Sequence, residues 1–272
     1  MDVRDEIKIE YHGLRDGQSV TSQLCPKCKG GRTKERTLSV ARDAGELVWH
    51  CHRASCGFSG RDRVRGTADA IPHDKPDKKE RKLPEVTSLK DIPTEARDFL
   101  SKKYGLTDEH IADANLTWCN DYAYREGSGR LCILVYNWKG VRDGYVLRSL
   151  TGAEPKALTY VKSNSMAFYH KPAAKKVIIV EDAFSAIRLS RYCTAVALLG
   201  THLNPSRIHD ILSTKAEQYY LWLDGDAFAQ AVNYALKYKH LIKLHVRKLT
   251  KDIKDCSEDE LIAILKEEGV IQ

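Results

Sequence analysis

Val177-Ile178-Ile179-Val180-Glu181 sets four consecutive apolar residues before a carboxylate, and Tyr219-Tyr220-Leu221-Trp222-Leu223-Asp224-Gly225-Asp226 repeats the arrangement further along the chain. A continuously apolar strand is one buried on both faces, and open α/β sheets collect their chemistry at the C-terminal ends of parallel strands. Three acids converging on one sheet edge repel one another unless a cation stands between them. The pattern therefore predicts a divalent ion, Mg2+ or Mn2+, held by the oxygens of Glu181, Asp224 and Asp226.

Outward from these two strands the alternation is regular. Strands over 177–180, 195–199, 219–223 and 243–246 alternate with helices over 183–192, 205–212, 227–239 and 258–268, which predicts a parallel α/β sheet. Phe228, Val232, Ala235 and Leu236 form the expected apolar face of the third helix, and Ser257 with Glu260 makes a capping box for the last. Upstream, 94–105 has helical spacing and a terminal glycine, and a second short helix begins at the cap Thr107. The runs 131–136 and 144–148 read as antiparallel strands joined by a turn at Lys139-Gly140, so this middle portion is mixed α+β.

Four of the eight cysteines fall in two short knuckles, Cys25-Pro26-Lys27-Cys28 and Cys51-His52-Arg53-Ala54-Ser55-Cys56. Thiolates are soft ligands, and each short loop brings two sulfurs to one ion, so Cys25, Cys28, Cys51 and Cys56 predict a tetrahedral Zn2+ site. His50 and His52 flank Cys51, and either could replace a sulfur. Gly30-Gly31 and Gly57 follow the knuckles where positive φ is needed. The first 60 residues hold little apolar material, so the ion is expected to supply folding free energy directly. Trp49, His50, His52 and Arg53 surround the second knuckle and could stack on or hydrogen-bond to unpaired bases; Trp49 could equally be the small core of a zinc ribbon. Cys119, Cys132, Cys193 and Cys256 are expected as small buried hydrophobes.

After Gly60 the chain is charged and almost free of apolar residues, which reads as a tether. About 24 flexible residues span roughly 25–30 Å. The expected division is a zinc-binding domain over 1–60, a linker over 61–84, a basic subdomain over 85–175 and the sheet over 176–272. The net charge of +7 is concentrated: from Tyr122 to Lys176 ten Lys and Arg face three acids, Glu126, Asp143 and Glu154. A basic stretch beside an acidic metal edge suggests polyanionic ligands such as nucleoside triphosphates or nucleic acid. No run reaches the ~18 apolar residues of a membrane span, and the charged N-terminal segment does not read as a signal peptide, so the expected location is the cytoplasm, with no membrane partner.

The order of zinc ribbon, linker, basic mixed segment and acid-edged sheet resembles the DNA primases of bacteria and of phage primase-helicases, with their TOPRIM domain, over nearly the whole chain. Tyr104-Gly105-Leu106-Thr107-Asp108-Glu109-His110-Ile111 looks like the family's helical entry to the RNA polymerase domain. Gly144-Tyr145-Val146-Leu147-Arg148 with Pro155-Lys156-Ala157-Leu158 resembles its basic motif. Lys251-Asp252-Ile253-Lys254-Asp255 is similar to a motif that adds a further carboxylate beside the pair. There are departures. Asp182 and Ser185 stand where the family has glycine and an acid, and Ile253 and Lys254 replace a small residue or proline and an asparagine.

The resemblance implies an enzyme, a nucleotidyltransferase that makes short RNA primers from ribonucleoside triphosphates on single-stranded DNA during DNA replication, in a phage or its host's cytoplasm. It implies Glu181, Asp224, Asp226 and Asp252 as catalytic residues and Mg2+ or Mn2+ ligands, and Arg148 and Lys156 as nucleotide or template contacts. Arg142 and Lys162 join the last group by proximity. The zinc module, with Trp49, His50, His52 and Arg53, is then expected to hold a template recognition sequence. No Gly-rich Walker loop with Gly-Lys-Ser/Thr occurs, so a separate replicative helicase and a DNA polymerase are the expected partners. The alternatives are a recombination mediator that joins a zinc site to a TOPRIM-like sheet and binds DNA without catalysis, and a TOPRIM nuclease.

Overall fold

The computed structural model describes residues 2–43, 45–64, 89–120 and 129–271. The chain divides into two compact units. One comprises Met1–Lys79, His202–Ala216 and Val232–Leu244; the other comprises Glu80–Thr201, Glu217–Ala231 and His245–Gln272.

The first unit begins with helix α1 (Val3–Tyr11), capped by the Asp2 carboxylate, which accepts from the Arg4 N–H. Four strands follow, β1 (Ser19–Gln23), β2 (Leu38–Asp43), β3 (Glu46–Cys51) and β4 (Ser59–Arg63), paired antiparallel in the order β1-β2-β3-β4. This ribbon is better filled than its composition suggests. Ile7 from α1 and Leu38, Val40, Leu47 and Trp49 from the strands are fully buried, with Tyr11 and Phe58 at the margin. The apolar residues are few, but α1 and the two central strands point them at one place. Strand β4 also corrects the expected start of the linker, because Arg61 to Arg63 pair with β3 rather than run free. Gly60 permits this: a Cβ there would stand 2.2 Å from the Trp49 ring. The remainder of the expected tether, 65–84, lies outside the described residues.

The second unit opens with β5 (Leu89–Lys90), α2 (Thr94–Tyr104), α3 (Asp108–Asp113), β6 (Thr117–Cys119), β7 (Arg130–Tyr136), β8 (Arg142–Ser149) and β9 (Ala157–Val161). Its five strands form an antiparallel sheet in sequential order. Gly105 ends α2 in a left-handed conformation, and Thr107 caps α3 through a reciprocal pair of bonds with His110. Along the chain there follow β10 (Ala167–Tyr169), β11 (Lys176–Val180), α4 (Ala183–Leu189), β12 (Thr194–Ala197), α5 (Pro205–Leu212), β13 (Gln218–Trp222), α6 (Phe228–Tyr238), β14 (Leu244–Val246) and α7 (Glu258–Glu267), of which α5 and α6 from Val232 onward belong to the first unit and the strands form a second sheet. Its order is β10-β12-β11-β13-β14, with β11 parallel to both of its neighbours and β10 antiparallel at the edge.

The run 177–180 is buried throughout, as its continuous apolar character requires. Ser257 and Glu260 form the expected capping box of α7. Helix α6 departs from expectation: Leu236 is 61% exposed, and the buried positions are Ala231 and Tyr238, seven residues apart on a neighbouring stripe. Cys119, Cys132, Cys193 and Cys256 are all buried, the environment expected for them. Among the described residues, no helix is long and apolar enough to cross a membrane.

Candidate zinc centre and acidic active site

The four cysteines of the knuckles converge. Sγ of Cys25 lies 3.9 Å from that of Cys56, Sγ of Cys28 lies 3.9 Å from that of Cys51, and all four sulfurs fall within 4.8 Å of one another. Four sulfurs at about 2.3 Å from a central zinc stand about 3.8 Å apart in a tetrahedron, so the donor set fits Zn2+. Gly30, at φ +72°, shapes the first knuckle; a Cβ there would meet the Glu35 backbone at 2.5 Å. Burial pushes the Cys25 thiol up to about 12 and raises Cys56 as well, whereas at Cys28 the Gly30 N–H and the neighbouring thiols outweigh burial and lower it, so Cys25 and Cys56 are the sulfurs a cation would have to convert to thiolates.

The histidines beside Cys51 are arranged differently. Burial, then the neighbouring His52 and His209, push the His50 imidazole down to about 4. His52 Nε2 lies 3.1 Å from Ser39 Oγ and 3.0 Å from the His240 carbonyl, while its ring remains exposed. Neither ring is grouped with the sulfurs. Trp49 is 0% exposed, so of the two readings open for it the core is the one realised, and the proposed stacking on bases is corrected. Its place in β3, facing Gly60 and Phe58, leaves no ring face to solvent. Arg53 is half-buried and donates to Ser55 Oγ.

The acids meet at the edge of the second sheet. Glu181 follows β11 and Asp224 follows β13, and the parallel register that sets Val180 against Trp222 brings the two strand ends side by side. Asp226 lies in the turn of helix Gly225–Ala227, and Asp252 immediately precedes the turn Ile253–Asp255 beyond β14, its carbonyl accepting from the Asp255 N–H. Burial raises the Glu181 carboxyl, with Asp226 as the largest charge contribution and Lys254 opposing it. Asp224 is pushed up to about 6 by burial and by the charges of Asp252, Glu181 and Asp182, against the pull of Lys254. Partly buried carboxylates that repel one another are a hard-oxygen donor set, which fits Mg2+ or Mn2+.

Two residues outside the expected ligand set complete the cluster. Asp182 caps α4, accepting from the N–H groups of Phe184 and Ser185 and, at 2.8 Å, from Ser185 Oγ. Lys254 reaches into the acids, with Nζ 2.9 Å from Asp252, 3.3 Å from Asp182 and 3.5 Å from Asp224. Burial alone would lower its pKa, but these three carboxylates reverse that and raise it. The loop that carries Asp252 and Lys254 is fixed from behind. Ile253 is 1% exposed, and the buried Arg188 of α4 donates to the carbonyls of Ile253 and Cys256 and to Glu258. In the sequence Lys254 was visible as a departure from the resembled motif, whereas Arg188 gave no signal beyond a charged residue in a helix.

The four expected basic contacts divide between the ends of one hairpin. Arg148 pairs in register with Ala157, which puts Lys156 beside its end of the hairpin, and its guanidinium lies over the Phe184 ring at 6.0 Å. Phe184 follows Asp182 by two residues, so Arg148 borders the acidic edge. Arg142 and Lys162 lie at the opposite end, six residues or about 20 Å along the strand, where Lys162 pairs with Asp143 at 3.5 Å. The structure therefore does not bring Arg142 and Lys162 together with Arg148 and Lys156.

No family model matches the chain, and no curated protein matches it. Bacterial and phage primases are among the solved structures it resembles. The primase fragment of the bacteriophage T7 primase-helicase protein is 16% identical, with 93% of this chain and 100% of that one covered and a TM-score of 0.49. The zinc-binding and RNA polymerase domains of the Aquifex aeolicus primase are 19% identical, with 65% of this chain and 54% of that one covered and a TM-score of 0.49. A DnaG primase catalytic domain bound to ssDNA is 19% identical, with 66% of this chain and 70% of that one covered and a TM-score of 0.48.

Proposed function

We propose that the chain is a DNA primase, a nucleotidyltransferase that joins ribonucleoside triphosphates into short primers on a single-stranded DNA template. The observation that carries the reading is the convergence of Glu181, Asp224 and Asp252 at one strand-end edge, with Asp224 pushed up to about 6 by burial and its neighbours. A site that raises carboxylates in this way is built for a cation. Glu181, Asp224 and Asp226, with Asp252 beside them, would form the site for Mg2+ or Mn2+, which when bound lowers the pKa of an attacking 3′-hydroxyl and neutralises a triphosphate.

The chain's own groups have distinct tasks in this reaction. Glu181, raised by burial, suits acceptance of the proton from the attacking hydroxyl. Arg148, held over Phe184 beside the acids, and the exposed Lys156 would bind the incoming triphosphate or template phosphates. Arg142 and Lys162 would contact template farther from the chemistry. The zinc ribbon would present His52 and Arg53 to the template, reducing the entropic cost of aligning two weakly bound nucleotides. A separate helicase and a DNA polymerase would act before and after it, in a cytoplasmic compartment.

Labelled ribonucleotides offered with an unprimed single strand test this reading. The wild-type chain should build short oligoribonucleotides, and Asp226→Asn should build none while keeping its fold and zinc. Binding without incorporation would favour the recombination mediator, and shortening of the template would favour the nuclease; either result would remove the primase assignment.

A further inference from the structure

The acidic edge holds five carboxylates, and one ammonium already stands among them. Lys254 Nζ meets Oδ2 of Asp252, Asp182 and Asp224 at 2.9, 3.3 and 3.5 Å. Its side chain is 19% exposed, and the residue before it, Ile253, is 1% exposed with its carbonyl held by Arg188 at 2.9 Å. The ammonium is thus delivered by an anchored loop rather than by a free surface arm. The carboxylates of Glu181 and Asp226, by contrast, have no hydrogen bond or ion pair among the described residues.

The spacing of Asp182, Asp224 and Asp252 around Lys254 matches an ammonium better than a shared ion. Among the described residues, only the four cysteines already stand grouped as metal ligands, so any divalent ion at the acids would have to draw their oxygens inward. A divalent ion draws carboxylate oxygens to about 2.1 Å, well inside the contacts of an ammonium. Lys254 uses one oxygen of each of three aspartates, so a second ion on those same oxygens would have to expel it. We propose that Lys254 is a built-in cation of this site: it takes the place between Asp182, Asp224 and Asp252 that another divalent ion would otherwise fill, and leaves a single divalent ion to Glu181, Asp224 and Asp226.

The inference rests on the reading of the acids as a metal site and goes further in fixing how many ions that site takes. Asp252 then acts by holding Lys254, as a positioning residue rather than a metal ligand. Asp182, through its bonds to α4 and to Ser185, is the fixed wall against which the ammonium is set.

Mn2+ titration of the zinc-loaded full chain, followed by electron paramagnetic resonance, tests it. The wild type should bind one Mn2+ that Asp226→Asn abolishes. Lys254→Met, neutral and of similar length, should bind a second and should hold the first at least roughly tenfold more tightly, since a neighbouring positive charge has gone. Lys254→Arg, which keeps the charge, should bind one. Two Asp226-dependent ions on the wild type would overturn the proposal without any variant, as would equal stoichiometry and affinity in wild type and Lys254→Met. Both of those results would leave the acidic metal site standing. No Asp226-dependent Mn2+ on either chain would remove the metal site and the proposal together.

Discussion

Asp224→Asn should make the magnesium-free protein more stable, although it removes an ion pair. The Asp224 carboxyl is pushed from 3.8 up to about 6, first by burial and then by Asp252, Glu181 and Asp182, with the attraction of Lys254 already included. A difference of about two pKa units costs about 3 kcal/mol of folding free energy when the group is charged in both states. Its side chain is 22% exposed, and solvent screening brings the expected effect to about 2 kcal/mol. The sign follows from proton uptake. Between pH 3.8 and about 6 the folded protein binds the Asp224 proton more readily than the unfolded chain, so wild-type stability falls as pH rises through that window and is flat above it. Urea unfolding in magnesium-free buffer with zinc retained should therefore show Asp224→Asn more stable than wild type at pH 8, with about half of the advantage gone by pH 5. Added Mg2+ should reverse the order, because only the wild type binds it well. Equal stability of the two proteins at pH 8 without Mg2+, or a wild-type advantage there, would refute the claim that these carboxylates repel one another in a partly buried cluster.

Three further outcomes are expected. Arg188→Met should cost about 2–4 kcal/mol in thermal unfolding, because the buried guanidinium is the donor to Ile253, Cys256 and Glu258; it should also tighten Mn2+ binding by freeing Lys254 from the acids, and Arg188→Lys should not restore the wild-type affinity. Trp49→Ala should destabilise the ribbon by about 3–5 kcal/mol, while Trp49→Phe keeps the template preference of the wild type, as measured by primer yield on randomised templates. Cys28→Ser, or chelation of zinc, should leave the ribbon open to limited proteolysis while the acidic unit keeps its Mn2+ affinity.

The parts of the fold that were legible in the sequence are those in which burial dictates composition. Val177 to Val180 and Tyr219 to Leu223 can sit only in the middle of a covered sheet, and the polar residue that ends each run marks the edge where the candidate site lies. The knuckles were legible because ligand spacing is a covalent property of the chain, and Ser257 and Thr107 because caps are local. Strands β1 and β4 were not, since Ser-Val-Thr-Ser-Gln and Ser-Gly-Arg-Asp-Arg carry no apolar alternation and are held by ladder hydrogen bonds to β2 and β3. Leu236 was assigned to the wrong stripe because a helix with Phe228, Ala231, Val232, Ala235 and Leu236 has apolar residues on more than one face. The site was legible as far as its acids reach, because each closes a recognisable element. The tasks of Lys254 and Arg188 depend on where three loops meet, which no local pattern encodes.

Crystals of the zinc-loaded chain soaked in Mn2+, with data collected at the manganese edge, test the central claim most directly. An anomalous peak bounded by Glu181, Asp224 and Asp226, absent from Asp224→Asn crystals, is the predicted result. Manganese found only elsewhere on the protein, with those three carboxylates bare, would contradict it.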